Sequence, residues 1–384
     1  MTKWETVTLG TICEIVSGTT PSTKNAELWD GDIKWITPAE IQNESYYIYD
    51  TERHISEKAG LRLMPAGTVL LSSRAPIGKV AIAGAEMSCN QGFKNLICSD
   101  RVHNRYLYHF LKSKTDYLNS LGRGATFKEL SKSIVENVEI PLPTLPLQFH
   151  IADKLDAVTD ILRLRNQQLV DLDLLVKSRF VEMFGNPVTN EKKWPIMQLG
   201  DAGNCKNGMN FRAGDTGVEI NCLGVGDFKD LTKITEVESL PVVSLNAMPS
   251  SELLLRNEDI VFVRSNGNKE LVGRCVVVYP DDIQATFSGF CIRFRKETNK
   301  LITEYLLQAL KTSSMRLKMV GRGANINNLN QKTLISLPIP VPPMSLQKKF
   351  AVFIEQTDKS KFAIQQSITE LETLKKALMQ QYFG

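Results

Sequence analysis

Side chains able to touch a phosphate or a base edge are gathered in this chain on glycine-bearing loops, in two sets. The first set holds Thr20, Ser22 and Lys24, then Ser73, Arg74 and Lys79, then Gln91 and Lys94. The second holds Asn207, Asn210 and Arg212, then Arg264, Ser265, Asn266, Asn268 and Lys269, followed by the passage Thr286-Phe287-Ser288-Gly289. Guanidinium and ammonium groups hold phosphates, whereas amides and hydroxyls match the donor and acceptor pattern of base edges. One such loop alone reads as a solvated turn, because glycine, serine and asparagine are ordinary turn formers. Recurrence in both halves favours a binding surface. Arg74 and Arg264 each follow a strand-like run in comparable loops, where a guanidinium fork takes guanine O6 and N7 or clamps a phosphate. Gly122-Arg123-Gly124 and Gly321-Arg322-Gly323 add backbone N–H groups and one cation each, suited to a phosphate or to a plain turn.

Catalytic groups are scarce by comparison. The four histidines, His54, His103, His109 and His150, form no H-E-x-x-H pair and neighbour no nucleophile with an acid. Gly78-Lys79-Val80 imitates only the end of a phosphate loop. Asn186-Pro187-Val188-Thr189 lacks the second proline and the aromatic of an amino-methyltransferase motif, and Pro280-Asp281 has no acidic-x-Lys partner of a metal nuclease. The seven cysteines are an odd number without a C-x-x-C pair, which points to reduced thiols rather than disulfides or structural zinc. No catalytic, cofactor-binding or metal-binding residue is assigned.

The loops recur because the chain is written twice. Pro-Leu-Pro-Thr-Leu-Pro-Leu-Gln from Pro141 returns 199 residues later as Pro-Val-Pro-Pro-Met-Ser-Leu-Gln from Pro340. The same offset carries Gly122-Arg123-Gly124-Ala125 onto Gly321-Arg322-Gly323-Ala324, and Leu172, Leu175, Lys177, Phe184 and Gly185 onto Leu371, Leu374, Lys376, Phe383 and Gly384. After each proline-rich passage comes a long helical pattern. Ile151, Leu155, Val158, Leu162, Leu169, Leu172, Val176 and Met183 follow steps of four and three, with Arg165 and Arg179 at the two remaining seam positions. Phe350, Ile354, Thr357, Lys361, Ile364, Ile368, Leu371, Lys375 and Leu378 repeat the pattern. Each helix would be about 55 Å long, enough for a ruler between two globular parts.

Those parts mix strands and helices. Apolar runs at 67–71, 79–83, 259–263, 274–278 and 291–294 predict strands, and 104–118 and 303–319 predict helices. The chain divides into globular 1–145, helical 146–186, globular 187–343 and helical 344–384, an α+β protein with two similar mixed α/β domains. Its 384 residues, 42% apolar and 23% charged, describe an ordinary soluble composition. The absence of a long apolar run and of an apolar amino-terminal stretch predicts a cytoplasmic chain without membrane association. A net charge of +4 is small for a protein that binds nucleic acid alone, so another subunit is expected to supply much of the backbone electrostatics.

Taken together, the chain resembles the specificity (S) subunit of type I restriction-modification systems. The resemblance rests on Thr20-Pro21-Ser22, Trp29-Asp30-Gly31-Asp32-Ile33-Lys34-Trp35-Ile36, Ser73-Arg74-Ala75-Pro76-Ile77-Gly78, Asn90-Gln91-Gly92-Phe93, the Pro-Leu-Pro to Leu-Gln passage and Met183-Phe184-Gly185-Asn186-Pro187. The second half departs from the first, with Arg264-Ser265-Asn266-Gly267 in place of Arg-Ala-Pro-Ile-Gly and no Asn-Gln-Gly. The resemblance implies two target-recognition domains, each reading half of a bipartite double-stranded DNA site. It also implies two long antiparallel coiled-coil helices, pseudo-twofold related, that set the spacer and dock two modification (methyltransferase) subunits. S-adenosylmethionine, ATP and Mg would enter through those and the restriction (translocase/nuclease) subunits, none being bound by this chain. Service to a stand-alone modification system, or a tandem scaffold that binds no DNA, is the alternative expectation.

Overall fold

The computed structural model describes residues 4–42, 46–74, 76–124, 128–212, 214–228, 231–320 and 328–384. It falls into two compact units, the first made of Met1–Gln167 with Gln365–Gly384 and the second of Gln168–Ile364. In unit 1 a five-stranded sheet runs in the order Cys13–Ser17, Phe93–Cys98, Val69–Ser72, Val80–Ala83, Tyr47–Ile48. A three-stranded sheet has the order Arg53–Ile55, Trp29–Ile36, Ser88–Cys89, and Thr6–Thr8 pairs antiparallel with Glu139–Pro141. Unit 2 repeats the topology strand for strand: Gly203–Asn207, Cys291–Lys296, Asp259–Val263, Cys275–Val278, Lys233–Ile234, then Val242–Leu245, Val218–Leu223, Ala285–Phe287, then Ile196–Gln198 with Pro338–Pro340. The duplication seen in the boundary passages thus extends to the whole fold of each unit.

The central strands read as unbroken apolar runs because they are covered on both faces. Alternate side chains of a strand point to opposite sides. Val69, Leu71, Val80 and Ile82 face a core shared with Tyr106, Phe110, Ile151 and Leu155, while Leu70, Ala81 and Ala83 face Ile36 and Cys89 of the smaller sheet, with Met87 and Phe93 in the same cluster. Unit 2 sorts its residues the same way, with Ile260, Phe262, Cys275 and Val277 toward the helices and Val261, Val263, Val276 and Val278 toward Leu223 and Phe287. The five predicted strands form, within two residues at their ends. Both predicted helices form in two pieces, Asn104–Ser113 with Thr115–Leu121 and Thr303–Lys311 with Ser313–Val320. At the second break Thr312 adopts extended backbone and its hydroxyl accepts from Met315 N–H at 3.3 Å, an N-cap that restarts the helix.

The long helices are Leu145–Phe184 and Met344–Phe383, 40 residues each. Ile151, Leu155, Val158 and Val176 of the first seam are buried, as are Phe350, Thr357 and Ile368 of the second. Lys361 pairs with Asp173 within unit 2, which satisfies one of the polar seam positions. Arg179 departs from the seam expectation: it is exposed and bonds Glu182 at 2.7 Å, and Phe180 is buried in its stead. The last turns step by four through Val176, Phe180 and Phe184, as a straight helix of 3.6 residues per turn does when it packs on a globular core. Phe184 lies 4.7 Å from the Tyr305 ring and 5.4 Å from Phe350, all in unit 2. Phe383 lies 5.3 Å from Tyr106 in unit 1, the same contact at the 199-residue offset.

A buried ionic cluster fastens the first long helix to unit 1. Asp156 accepts from His109 Nε2 at 2.6 Å, from Tyr46 Oη at 2.7 Å and from Arg105 Nη1 at 2.8 Å. Burial alone would raise the Asp156 pKa, but the hydrogen bonds from His109, Tyr46 and Arg105 outweigh it and hold the carboxyl below its ordinary 3.8. Burial pulls the His109 imidazole below 6.5, against the pull of Asp156 and in concert with Lys375 and Arg105. Below pH 6.5 the unfolded chain therefore takes up the histidine proton more readily than the folded one. Unit 1 is expected to lose stability as pH falls from about 6.5, by at most about 1.4 kcal/mol per pH unit from this group, with Asp156 adding to the loss below about 3.8. Amide exchange of unit 1 against pH measures this, and His109→Gln, which installs the residue that Gln308 supplies at the corresponding position, should flatten the first limb.

Candidate nucleic-acid interface

In unit 1 the three candidate loops are stitched to one another by backbone hydrogen bonds. Gly18 N–H donates to Phe93 O at 3.2 Å, Thr19 N–H to Cys89 O at 2.8 Å and Ser73 N–H to Gly92 O at 2.7 Å. The approach is so close that a Cβ on Gly18 would stand 1.9 Å from Asn90 O, which is why glycine is required there. Ser22, Lys24, Gln91 and Arg123 are exposed, and the half-buried Thr20 donates its hydroxyl to Gln91 Oε1. Lys79 is half-buried and donates Nζ to Pro38 O at 2.9 Å. Ser73 and Lys94 lie inside the fold. The Ser73 hydroxyl has no hydrogen-bond partner among the described residues, and Lys94 Nζ is 3.4 Å from Glu129 Oε1.

Glu129 organises this side of unit 1. Its other carboxylate oxygen is 3.5 Å from Arg74 Nη1, and its backbone exchanges hydrogen bonds of 2.9 and 3.1 Å with Arg123. Arg74, Lys94 and Arg123 therefore converge on one carboxylate-bearing residue. Of the three, Arg123 is exposed, Arg74 is partly so and Lys94 is enclosed. Nothing local in the sequence marks Glu129, since the bonds span 55 and 35 residues.

Unit 2 builds the same stitching with different side chains. Gly208 N–H donates to Cys291 O at 3.1 Å, Gly289 N–H to Met209 O at 2.7 Å and Arg264 N–H to Phe290 O at 2.8 Å. Arg264 Nη1 also donates to Gly289 O at 3.1 Å, so its guanidinium braces the neighbouring loop while remaining partly exposed. Asn210, Arg212, Asn268 and Lys269 are exposed, and Asn207, Ser265 and Asn266 are half-buried. Asn266 Oδ1 accepts from Asn268 N–H at 2.7 Å, and Asn268 Oδ1 from Glu270 N–H at 3.0 Å, which fixes the loop as consecutive side-chain-capped turns. Asn207 Oδ1 is buried without a partner among the described residues. Arg322 lies outside the described residues.

The loops correspond in a register that the sequence does not show. Leu130 N–H bonds Ser73 O at 2.9 Å, and Leu329 N–H bonds Arg264 O at 2.7 Å. Arg74 bridges Glu129, and Ser265 bridges Asn328. Arg264 thus stands where unit 1 has Ser73, and Ser265 where it has Arg74. The two arginines occupy neighbouring, not equivalent, positions. A second arginine beneath the unit 2 loops, Arg293, is turned inward: it donates to Asn204 Oδ1 at 2.9 Å and Glu252 O at 3.3 Å, and burial lowers its pKa. Phe290, one residue beyond the Ser288-Gly289 cluster, joins these loops, and its signal in the sequence is a large apolar residue directly after Ser-Gly at a strand start.

Among the described residues no group of three or more His, Cys, Asp or Glu could hold a metal ion, and no helix is long and apolar enough to cross a membrane. The family model for the type I restriction modification DNA specificity domain matches residues 1–173 and again 191–373. The MjaIX specificity subunit of a type I restriction enzyme from Methanocaldococcus jannaschii is 31% identical over 98% of this chain and 91% of its own length. The StySPI specificity subunit from Salmonella potsdam is 24% identical over 99% of this chain and 88% of its own. The type I restriction-modification S subunit from M. genitalium has a similar fold, with a TM-score of 0.58 at 16% identity, covering 99% of this chain and 96% of that one. A chain solved in work on assembly and conformational transition of the type I R-M system gives a TM-score of 0.64 at 19% identity, covering 100% and 98%.

Proposed function

The chain belongs to the type I restriction-modification specificity family, and from that premise we propose that each of its units reads one half of a bipartite double-stranded DNA site. It is a specificity subunit, a recognition chain whose catalytic partners are separate polypeptides. The observation that carries the proposal is the pairing of one topology, used twice, with two different sets of loop side chains on the same stitched scaffold. A shared scaffold positions both units on a duplex in the same way, while Arg74 with Glu129 in unit 1 and Arg264 with Ser265 and Asn266 in unit 2 present different groups to the bases.

The long helices set the spacer between half-sites and dock two modification subunits. Support for docking comes from a duplicated apolar pair: Leu175 is 48% exposed and Leu374, its counterpart at the 199-residue offset, 47%. S-adenosylmethionine belongs to the modification subunits, and ATP with Mg to the restriction subunits. The assembly works in the cytoplasm, where its DNA is.

Mapping methylated adenines after co-expression with the modification subunit tests the reading, since it returns both half-sites and the spacer. Binding of the assembled complex to a duplex carrying that site should fall steeply between about 50 and 200 mM salt. Arg74→Ala is expected to weaken binding about 10-fold through one half-site and Arg264→Ala about 10-fold through the other. Methylation without a bipartite consensus, or binding indifferent to salt, overturns the proposal.

A further inference from the structure

Unit 2 carries an apolar pocket at its recognition loops that unit 1 lacks the residue to build. Phe290 is 59% exposed and Phe211 39% exposed, and both line a cavity of about 480 Å³. Val225, Val243 and Pro241 complete its apolar wall, and Ser265 and Asn266 stand at the same cavity. Phe290 is no accident of a loose loop, because its carbonyl accepts the Arg264 N–H at 2.8 Å and the buried strand Cys291–Lys296 begins directly after it. The position in unit 1 that makes the same bond is Gly92, where a Cβ would already stand 3.0 Å from Asn90 Oδ1 and 3.1 Å from Pro38 Cγ. One unit has closed this position and the other projects a phenyl ring from it.

A phenyl ring exposed alone needs no partner, but Phe290 and Phe211 with Val225, Val243 and Pro241 group an apolar surface at one cavity beside the polar reading groups, and such a grouped surface marks a binding site. Among the groups that base pairs present in the major groove, the C5-methyl of thymine is the apolar one, and phenylalanine is among the side chains that meet it. We propose that Phe290, with the pocket wall behind it, receives the methyl group of a thymine in the half-site read by unit 2, while Arg264, Ser265 and Asn266 address the polar edges alongside. The proposal rests on the DNA-reading function above and adds a base to it.

The test uses the full chain in its assembled complex and duplexes carrying the mapped site, with each thymine of the unit 2 half-site replaced in turn by uracil. That half-site is the one through which Arg264→Ala acts. One uracil substitution is expected to weaken wild-type binding about 4-fold, the factor that burial of a single methyl group supplies. Phe290→Ala should lose the same factor on the thymine duplex and show no further loss with uracil, and Phe290→Leu should keep most of the discrimination. Thermal melting of both variants is expected to match the wild type, since the ring is largely in solvent. Uracil neutral at every position, or a uracil penalty undiminished in Phe290→Ala, overturns the proposal while leaving site-specific binding intact. A wild-type complex with no preference for the mapped site brings down the DNA-reading function itself, and this proposal with it.

Discussion

Gln148→Leu is expected to destabilise unit 1 by about 3–9 kcal/mol, and Gln347→Leu unit 2 by a similar amount. Each glutamine is wholly buried. Gln148 Oε1 accepts from His103 N–H at 2.8 Å, and its Nε2 donates to Arg101 O at 3.0 Å and Pro143 O at 2.8 Å. Gln347 repeats the set with Ile302 N–H at 2.8 Å, Lys300 O at 3.0 Å and Pro342 O at 2.9 Å. The amide ties the start of a long helix to the start of a domain helix, and neither His103 nor Ile302 has a side-chain cap of its own. Leucine fills the same space but leaves one N–H and two C=O groups without this partner, at about 1–3 kcal/mol apiece. Denaturant unfolding monitored by amide exchange separates the units. A loss under 1 kcal/mol would show that water or loop movement replaces the amide.

This pair of glutamines also shows what the sequence makes legible. Leu147-Gln148 and Leu346-Gln347 repeat at a fixed offset because an identical network demands an identical residue, so the duplication and its boundaries are visible from the chain alone. The central strands are visible for a related reason: burial on both faces leaves unbroken apolar runs such as Asp259–Val263. The recognition loops obey no such constraint. Their lengths drift between the units, so Arg74 and Arg264 look equivalent until the hydrogen bonds from Leu130 and Leu329 place them one residue apart. Glu129 and Arg293 are hidden because their partners are distant in sequence, and Arg179 is misplaced because a heptad rule was carried into the turn where the helix meets a globular core.

Leu175→Glu combined with Leu374→Glu is expected to abolish co-purification of the modification subunits, with at least a 100-fold loss of affinity, and to leave the chain folded. Both leucines are about half exposed and off the buried seam, so a carboxylate there meets water in the free chain and costs little. Under a docked partner the same charge must be desolvated without a counterion, which is costly for each site. Within unit 2 the helices carry further exposed apolar residues, Leu174, Val170 and Phe362 among them. The single variants distinguish the two copies: each should leave one modification subunit bound, giving a half-loaded complex by native mass. Full loading of the double variant would place docking elsewhere.

Phe383 has a bearing on how the polypeptide is made. Unit 2 is one uninterrupted stretch of chain, Gln168–Ile364, and needs nothing made later. Unit 1 draws its last segment from Gln365–Gly384 and buries Phe383 against Tyr106 and Phe110, which left the ribosome long before. At roughly 5–20 residues per second, the amino-terminal half waits tens of seconds for the piece that closes it. The half synthesised first is the half completed last, and its core stays open throughout that interval.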